Sequence, residues 1–124
     1  MTQPLALVLY EKLLPGSQLI NRLQDLNYRV QAIADAGRLV EYAEQAKPML
    51  VLADLASTRN DVCTALARLK QYAATKHLPV IAFSDQGAVE LQAAAHTAGA
   101  TLVVSEAAIL NQLPQILDQA LQVE

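Results

Sequence analysis

Five polar residues follow short apolar runs of the sequence, at positions where they could form one site. Asp54 ends one such run, Ser84 and Ser105 end two later ones, and the pair Tyr10-Glu11 follows the first. Together they offer carboxylate, phenol and hydroxyl oxygens. Because open α/β folds bind their ligands at the carboxyl ends of parallel strands, these residues predict a ligand site at that edge. The alternative for Asp54 is that it only marks the point where a strand returns to water.

The runs before these residues have the patterns of strands. Predominantly apolar residues at 5–9, 49–53, 80–83 and 101–104 predict four strands, and the run at 49–53, which follows a proline, is typical of a strand buried on both faces of a parallel sheet. Residues 28–33 alternate apolar and polar side chains instead, which predicts a half-exposed strand near an edge of the sheet.

Apolar residues at helical spacing lie between these strands. Helices are predicted from Ser17, from Asp35 to about Ala46, from Asn60 or Asp61, from Gly87 to Ala98 with Gly99 as the stop, and from about Asn111 with Pro114 in the first turn. Strands that alternate with helices predict an α/β fold with one doubly wound, five-stranded parallel sheet and helices on both faces. No linker is evident, so residues 1–124 are predicted to form a single domain.

Composition narrows the class of protein. Hydrophobic residues make up 53% of the chain and charged residues 17%, which excludes a disordered protein. The net charge is −3 and the basic residues are scattered singly, so no nucleic-acid partner is expected. No apolar run approaches the ~18 residues that span a bilayer and no signal peptide is evident, so a cytoplasmic location without a membrane partner is predicted. The single cysteine, Cys63, and the two histidines form no metal-binding cluster.

Over essentially its whole length, the chain resembles the receiver domains of two-component response regulators. Along the chain, Glu11 and Asp54 are 43 residues apart, Asp54 and Ser84 are 30 apart, and Ser84 and Ser105 are 21 apart. These spacings are similar to those between the acidic pair, phosphoacceptor aspartate, hydroxyl residue and lysine of receivers. Residues 48–55 are similar to the receiver's acceptor strand, and 98–100 to the turn before its fifth strand. The resemblance implies a flavodoxin-like (βα)5 fold, with Asp54 at the phosphoacceptor position and Ser84 as the hydroxyl that contacts a phosphoryl group.

Two positions depart from the receiver pattern. Receivers carry two acids after the first strand, which hold Mg²⁺ together with the acceptor aspartate, whereas this chain has Tyr10-Glu11. Receivers end the fifth strand with a lysine, whereas this chain has Ser105 followed by Glu106. Losing a cation and half of a metal site opposes phosphoryl transfer, which depends on positioning and charge neutralisation. We therefore predict a degenerate receiver, or pseudo-receiver, with no cofactor and no metal; any residual Mg²⁺ site would use Glu11 and Asp54.

Without phosphotransfer, function is expected on the surface of the last two helices. On the final helix, Leu110, Leu113, Leu117 and Leu121 can form the core stripe, while Ile109, Ile116 and Val123 fall to one side of it. With Val89 of the preceding helix, this second stripe is a candidate partner interface or homodimer interface. The alternative is that it widens the buried face. In receivers, the corresponding face is the usual site of dimerisation and output.

Three functions follow from these patterns. The leading hypothesis is a stand-alone, non-enzymatic pseudo-receiver that acts by contact with a histidine kinase or another signalling protein. The second is a working phosphoacceptor, phosphorylated on Asp54 by a histidine kinase, with Lys12 or Arg59 from the flanking loops as a substitute cation. The third is a small-ligand module, although the loop after the first strand has no glycine-rich phosphate cradle.

Overall fold

Strands and helices alternate along the chain, as predicted. In the computed structural model, which describes residues 5–10, 13–33, 36–55, 62–72, 75–84 and 89–121, the strands are β1 (Leu5–Leu9), β2 (Arg29–Ile33), β3 (Leu50–Asp54), β4 (Val80–Ser84) and β5 (Leu102–Ser105). The helices are α1 (Leu13–Asp25), α2 (Leu39–Ala46), α3 (Val62–Leu69), α4 (Val89–Ala98), α5 (Glu106–Asn111) and α6 (Leu113–Leu121), and a 3-10 turn (Ala36–Arg38) precedes α2.

All five strands belong to one parallel sheet in the order β2-β1-β3-β4-β5. The alternating strand, β2, lies at one edge of the sheet, as its pattern predicted, and β5 lies at the other. The apolar strands β3 and β4 lie inside the sheet and are buried along their whole length. The predicted doubly wound parallel sheet is therefore confirmed.

Apolar side chains cover both faces of the sheet, because successive residues of a strand point to opposite sides. One core layer joins α2, α3 and α4 to the strand residues Leu7, Leu9, Val51, Ala53, Val80 and Ala82. The other joins α1, α5 and α6 to Ala6, Val8, Leu50, Leu52, Ile81 and Phe83. The carboxyl edge of the sheet is left to the polar residues that end the strands.

Two residues of the predicted interface stripe belong to the core. Ile109 in α5 and Ile116 in α6 are only 0% and 5% exposed, and both lie in the layer that contains Phe83. Because α5 follows β5 without a loop, its first turns are held against the sheet and Ile109 faces inward. The prediction that these two residues form a partner interface is therefore corrected: both widen the buried faces of their helices. Val89 is exposed, and Val123 lies outside the described residues.

Helix α1 begins earlier than the sequence suggested. It starts at Leu13 rather than at Ser17, with Pro15 and Gly16 near its beginning. Proline is tolerated there because the first N–H groups of a helix have no partner within the helix. Ser17 therefore lies inside the helix and does not cap it.

The last helical segment is divided in two. Gln112, with φ of −123° and ψ of 27°, separates α5 from α6. Pro114 has no N–H to donate to the carbonyl of Leu110, and its ring would collide with that carbonyl, which accounts for the break in the helix. The start predicted near Asn111 lies within two residues of the start of α6, whereas α5 was not predicted as a separate helix.

The helices are short. The longest described one is α1, with 13 residues. No helix in the described part of the chain is long and apolar enough to cross a membrane.

Candidate functional site

Asp54 and Ser84 end neighbouring strands at the carboxyl edge of the sheet. Asp54 is the last residue of β3 and is 3% exposed, and Ser84 is the last residue of β4 and is fully buried. In the sheet register Asp54 pairs with Phe83, so Ser84 lies one residue further along the adjacent strand. Since neighbouring strands are about 4.8 Å apart, the two residues lie close together along the centre of this edge. The structure therefore places two of the predicted site residues at the ends of adjacent strands.

Ser105 ends the next strand and caps the helix that follows it. Ser84 pairs with Ser105 across β4 and β5. The Oγ of Ser105 accepts a hydrogen bond from the backbone N–H of Ala108 at 3.1 Å, and its extended backbone is typical of a helix N-cap. Glu106 occupies the first turn of α5, where the helix dipole favours a carboxylate. At the position where receivers carry a lysine, this chain thus has a hydroxyl engaged in helix capping.

Tyr10 lies at the same edge, where a receiver has an acid. It follows Leu9, the β1 partner of Ala53, and its backbone N–H donates to the carbonyl of Ile33 at 3.0 Å. Its half-buried ring packs against the core layer that contains Phe83. The neighbouring acid, Glu11, lies outside the described residues.

Among the described residues of this edge, the donor set falls short of the oxygen ligands in near-octahedral geometry that a magnesium ion needs. Within the part of the chain that the structure describes, no group of three or more acidic, histidine or cysteine side chains could hold a metal ion. A phenol packed on the core also replaces one of the two acids that receivers place after the first strand.

Gln92 reaches the site from α4. Its Nε2 donates to the Oγ of Ser84 at 3.4 Å, which is a long hydrogen bond. Sequence reasoning did not select Gln92; the available signal was a long polar side chain on an otherwise alanine-rich helix. The contact joins α4 to the end of β4.

The half-buried amine of Lys70 lies at the opposite edge of the sheet. Its Nζ donates to the backbone oxygen of Leu78 at 2.8 Å, two residues before β4 begins. Desolvation by burial lowers the pKa of Lys70 below its ordinary value of 10.5. The hydrogen bond to Leu78 holds the Lys70 amine away from Asp54 and Ser84. The predicted substitute cations, Lys12 and Arg59, lie outside the described residues.

Helix α4 presents an apolar surface beside the site. Val89 is 68% exposed and Leu91 is 40% exposed, while Ala95 is the residue of α4 that is buried. Glu90 supplies the acidic charge of its first turn. Among the described interface candidates, Val89 is the one that solvent can reach.

Solved structures of other proteins are similar to this chain, whereas sequence comparisons find no match. No protein-family model and no curated protein sequence matches the chain. The structure is similar to a protein described as a response regulator, from Chloroflexus aurantiacus, with 20% identity and a TM-score of 0.89 over 98% of this chain and 100% of that one.

Two further structures extend this likeness. The receiver domain of a sensor histidine kinase from Pseudomonas aeruginosa, whose own structure holds magnesium in its active-site cleft, is 19% identical with a TM-score of 0.88 over 98% of this chain and 100% of that one. A chemotaxis response regulator of Vibrio cholerae is 18% identical with a TM-score of 0.77 over 93% of this chain and 99% of that one. With its strand order and this agreement along nearly the whole chain, the protein has the flavodoxin-like fold of response-regulator receiver domains.

Proposed function

We propose that this protein is a pseudo-receiver of two-component signalling, which acts through contact with another protein and without magnesium-dependent phosphotransfer. The observation that carries the proposal is the hydrogen bond from the Ala108 N–H to the Ser105 Oγ. Ser105 occupies the position at which receivers carry a lysine, and this hydrogen bond engages its side chain in capping α5. Such a module is not an enzyme. Its expected partner is a histidine kinase or another signalling protein in the cytoplasm.

The chemistry of phosphoryl transfer supports this proposal. The transition state spreads negative charge over the phosphoryl oxygens, so a receiver needs positive charge beside its aspartate. Here Ser105 supplies no full charge, Glu106 adds a negative one, and Tyr10 replaces an acid that would help to hold Mg²⁺. All three differences weaken the same step, the transfer of a phosphoryl group to Asp54.

Amide NMR spectra with and without Mg²⁺ and beryllofluoride test the proposal, because beryllofluoride on an aspartate mimics a phosphoryl group. We expect an unchanged spectrum from the folded wild-type protein. Large Mg²⁺-dependent shifts centred on Asp54, Ser84 and Ser105 would contradict the proposal.

A restored variant provides the matched positive control. The double substitution Tyr10→Asp and Ser105→Lys returns the second acid and the cation, and circular dichroism checks that the variant folds. We expect this variant to respond to Mg²⁺ and beryllofluoride, and the response to disappear when Asp54→Asn is added. If the spectrum of the folded variant does not change with Mg²⁺ and beryllofluoride, these two positions do not account for the loss of phosphoryl transfer.

A second candidate function is a working phosphoacceptor. It is favoured by the side-by-side placement of the buried Asp54 and Ser84, which are the acceptor and hydroxyl positions of a receiver. Incubation with acetyl phosphate and Mg²⁺, followed by intact-mass measurement, separates the two functions. A phosphoryl adduct on the wild type that is absent from Asp54→Asn would establish this second function.

For the pseudo-receiver, the exposed surface of α4 is the proposed place of partner contact. Val89 and Leu91 lie there, and the receiver resemblance points to this face for output. The hydrogen bond between Gln92 and Ser84 would connect this surface to the remnant site. Where a histidine kinase is the partner, binding should weaken on Val89→Ser with Leu91→Ser and stay unchanged on Asp54→Asn.

A further inference from the structure

A groove opens on the face of the molecule opposite to α2, α3 and α4. It lies between the C-terminal end of α1 and the break between α5 and α6, and it encloses about 240 Å³. Leu26 and Leu110 contribute apolar lining, and Pro114 lies at the helix break. Leu26 is 37% exposed, so an apolar side chain faces water at the rim.

Two opposite charges flank this groove on α1. Arg22 and Asp25 are three residues apart, and with Leu26 they share one face of the helix, since α-helical residues three and four apart are neighbours. Both side chains are exposed. Within the described part of the chain, neither of them forms an ion pair, although their spacing would allow one with each other.

This arrangement is complementary to itself. In a two-fold symmetric pair, every contact occurs twice with the roles of the protomers exchanged. If two α1 helices run antiparallel with the symmetry axis between positions 22 and 25, Arg22 of each protomer faces the partner's Asp25. Leu26 of each protomer then reaches the apolar lining of the other groove. A strongly acidic partner would be repelled by Asp25, and a strongly basic one by Arg22.

We propose that a second copy of this chain docks on the groove between α1 and the α5–α6 break, as a two-fold dimer joined by reciprocal Arg22–Asp25 ion pairs. One helix face and one small groove cover less than the roughly 800 Å² per partner of a standard interface. The dimer is therefore weak, and the dimeric fraction increases as the protein concentration is raised. It does not depend on whether Asp54 accepts a phosphoryl group.

Charge reversal tests the pairing by analytical ultracentrifugation of the whole chain over a concentration series. The wild type should shift from monomer to dimer. Arg22→Glu would set two carboxylates against each other at both contacts, and Asp25→Arg would set two guanidinium groups against each other. Each variant alone should therefore dimerise at least about tenfold more weakly than the wild type. Arg68→Glu on α3 and Glu44→Arg on α2 make the same kinds of charge change on the opposite face, and should dimerise like the wild type.

Mixing the two groove variants gives the decisive result. A protomer with Arg22→Glu and a protomer with Asp25→Arg are complementary when mixed, because each of the two contacts then joins one carboxylate of the first protomer to one guanidinium group of the second. The equimolar mixture should form heterodimers about as strongly as the wild type forms homodimers. Circular dichroism confirms that each variant is folded. A wild type that stays monomeric, a dimer that Arg22→Glu leaves unchanged, or a mixture that stays monomeric would each overturn the proposal.

Discussion

The hydroxyl of Ser105 accepts a hydrogen bond from the backbone N–H of Ala108, 3.1 Å away, and so caps α5. Ser105 is therefore both the last residue of β5 and the cap of the helix that starts directly after it. Losing the cap should cost stability.

Ser105→Ala is expected to lower the free energy of unfolding by about 1 kcal/mol, the usual cost of removing a serine N-cap. Ser105→Asp should lower the free energy of unfolding by less than Ser105→Ala does, because a carboxylate also accepts the capping hydrogen bond. Urea denaturation measures both. Thr97→Ala, which removes an exposed hydroxyl in α4, should change stability by less than about 0.5 kcal/mol. Equal effects of the Ser105 and Thr97 substitutions would contradict the capping role.

Gly99→Ala should destabilise the protein by about 1–3 kcal/mol. Gly99 ends α4, as predicted, with φ of +104°, a conformation that side chains with a Cβ rarely adopt. A Cβ at this position would also come within 2.9 Å of the Cγ of Lys70. In a Lys70→Ala background the contact is gone, so Gly99→Ala should cost less there. A double-mutant cycle by urea denaturation measures the difference, and additive effects would show that Lys70 contributes nothing.

Ile109→Ala is expected to lower the free energy of unfolding by about 3 kcal/mol, because it removes a fully buried side chain from the core. The control is Val89→Ala, an apolar truncation at a position that is 68% exposed; it should stay within about 0.5 kcal/mol of the wild type. Chemical denaturation compares the two. A small effect of Ile109→Ala on the free energy of unfolding would contradict the placement of this side chain in the core.

Tyr28 should ionise above its ordinary pKa of 10.0. Desolvation by burial raises the pKa of its phenol, and the carboxylate of Asp118 raises it further. The folded state therefore keeps this proton at a pH where the unfolded state has released it. Consequently, the contribution of Tyr28 to stability is complete below pH 10.0 and falls as the pH rises from there towards the folded-state pKa.

Asp118→Asn isolates the electrostatic part of that shift. It should lower the pKa of Tyr28 part of the way towards 10.0, because burial of the phenol continues to raise the pKa without the carboxylate. The phenolate absorbance of the protein minus that of Tyr28→Phe follows the titration. An identical titration curve for Asp118→Asn would show that this carboxylate does not act on Tyr28.

The prominent strands and their polar ends could be predicted because their signals are local. A continuous apolar run is typical of a strand in a parallel sheet, and the polar residue after it ends that strand; Asp54, Ser84 and Ser105 are the last residues of β3, β4 and β5. The run in β5 did not reveal that this strand lies at an edge of the sheet, where its residues are only half-buried. The roles of Gln92 and of the Ser105 cap were not predictable in the same way. Gln92 meets Ser84 only through the packing of α4, and the cap depends on a helix that begins without a loop.

The sequence by itself determined the alternation of strands and helices up to β5, the parallel sheet and the residues that end its last three strands, since each of these follows from periodicity and breakers along short stretches. Only the tertiary structure decided which side chains of the last helices face the sheet. Both stripes of that segment are apolar, so their pattern alone could not separate Ile109 in the core from a surface residue. The direct step from β5 into α5 and the break at Gln112 before Pro114 set the orientation of these helices. The same break placed the groove beside Arg22 and Asp25.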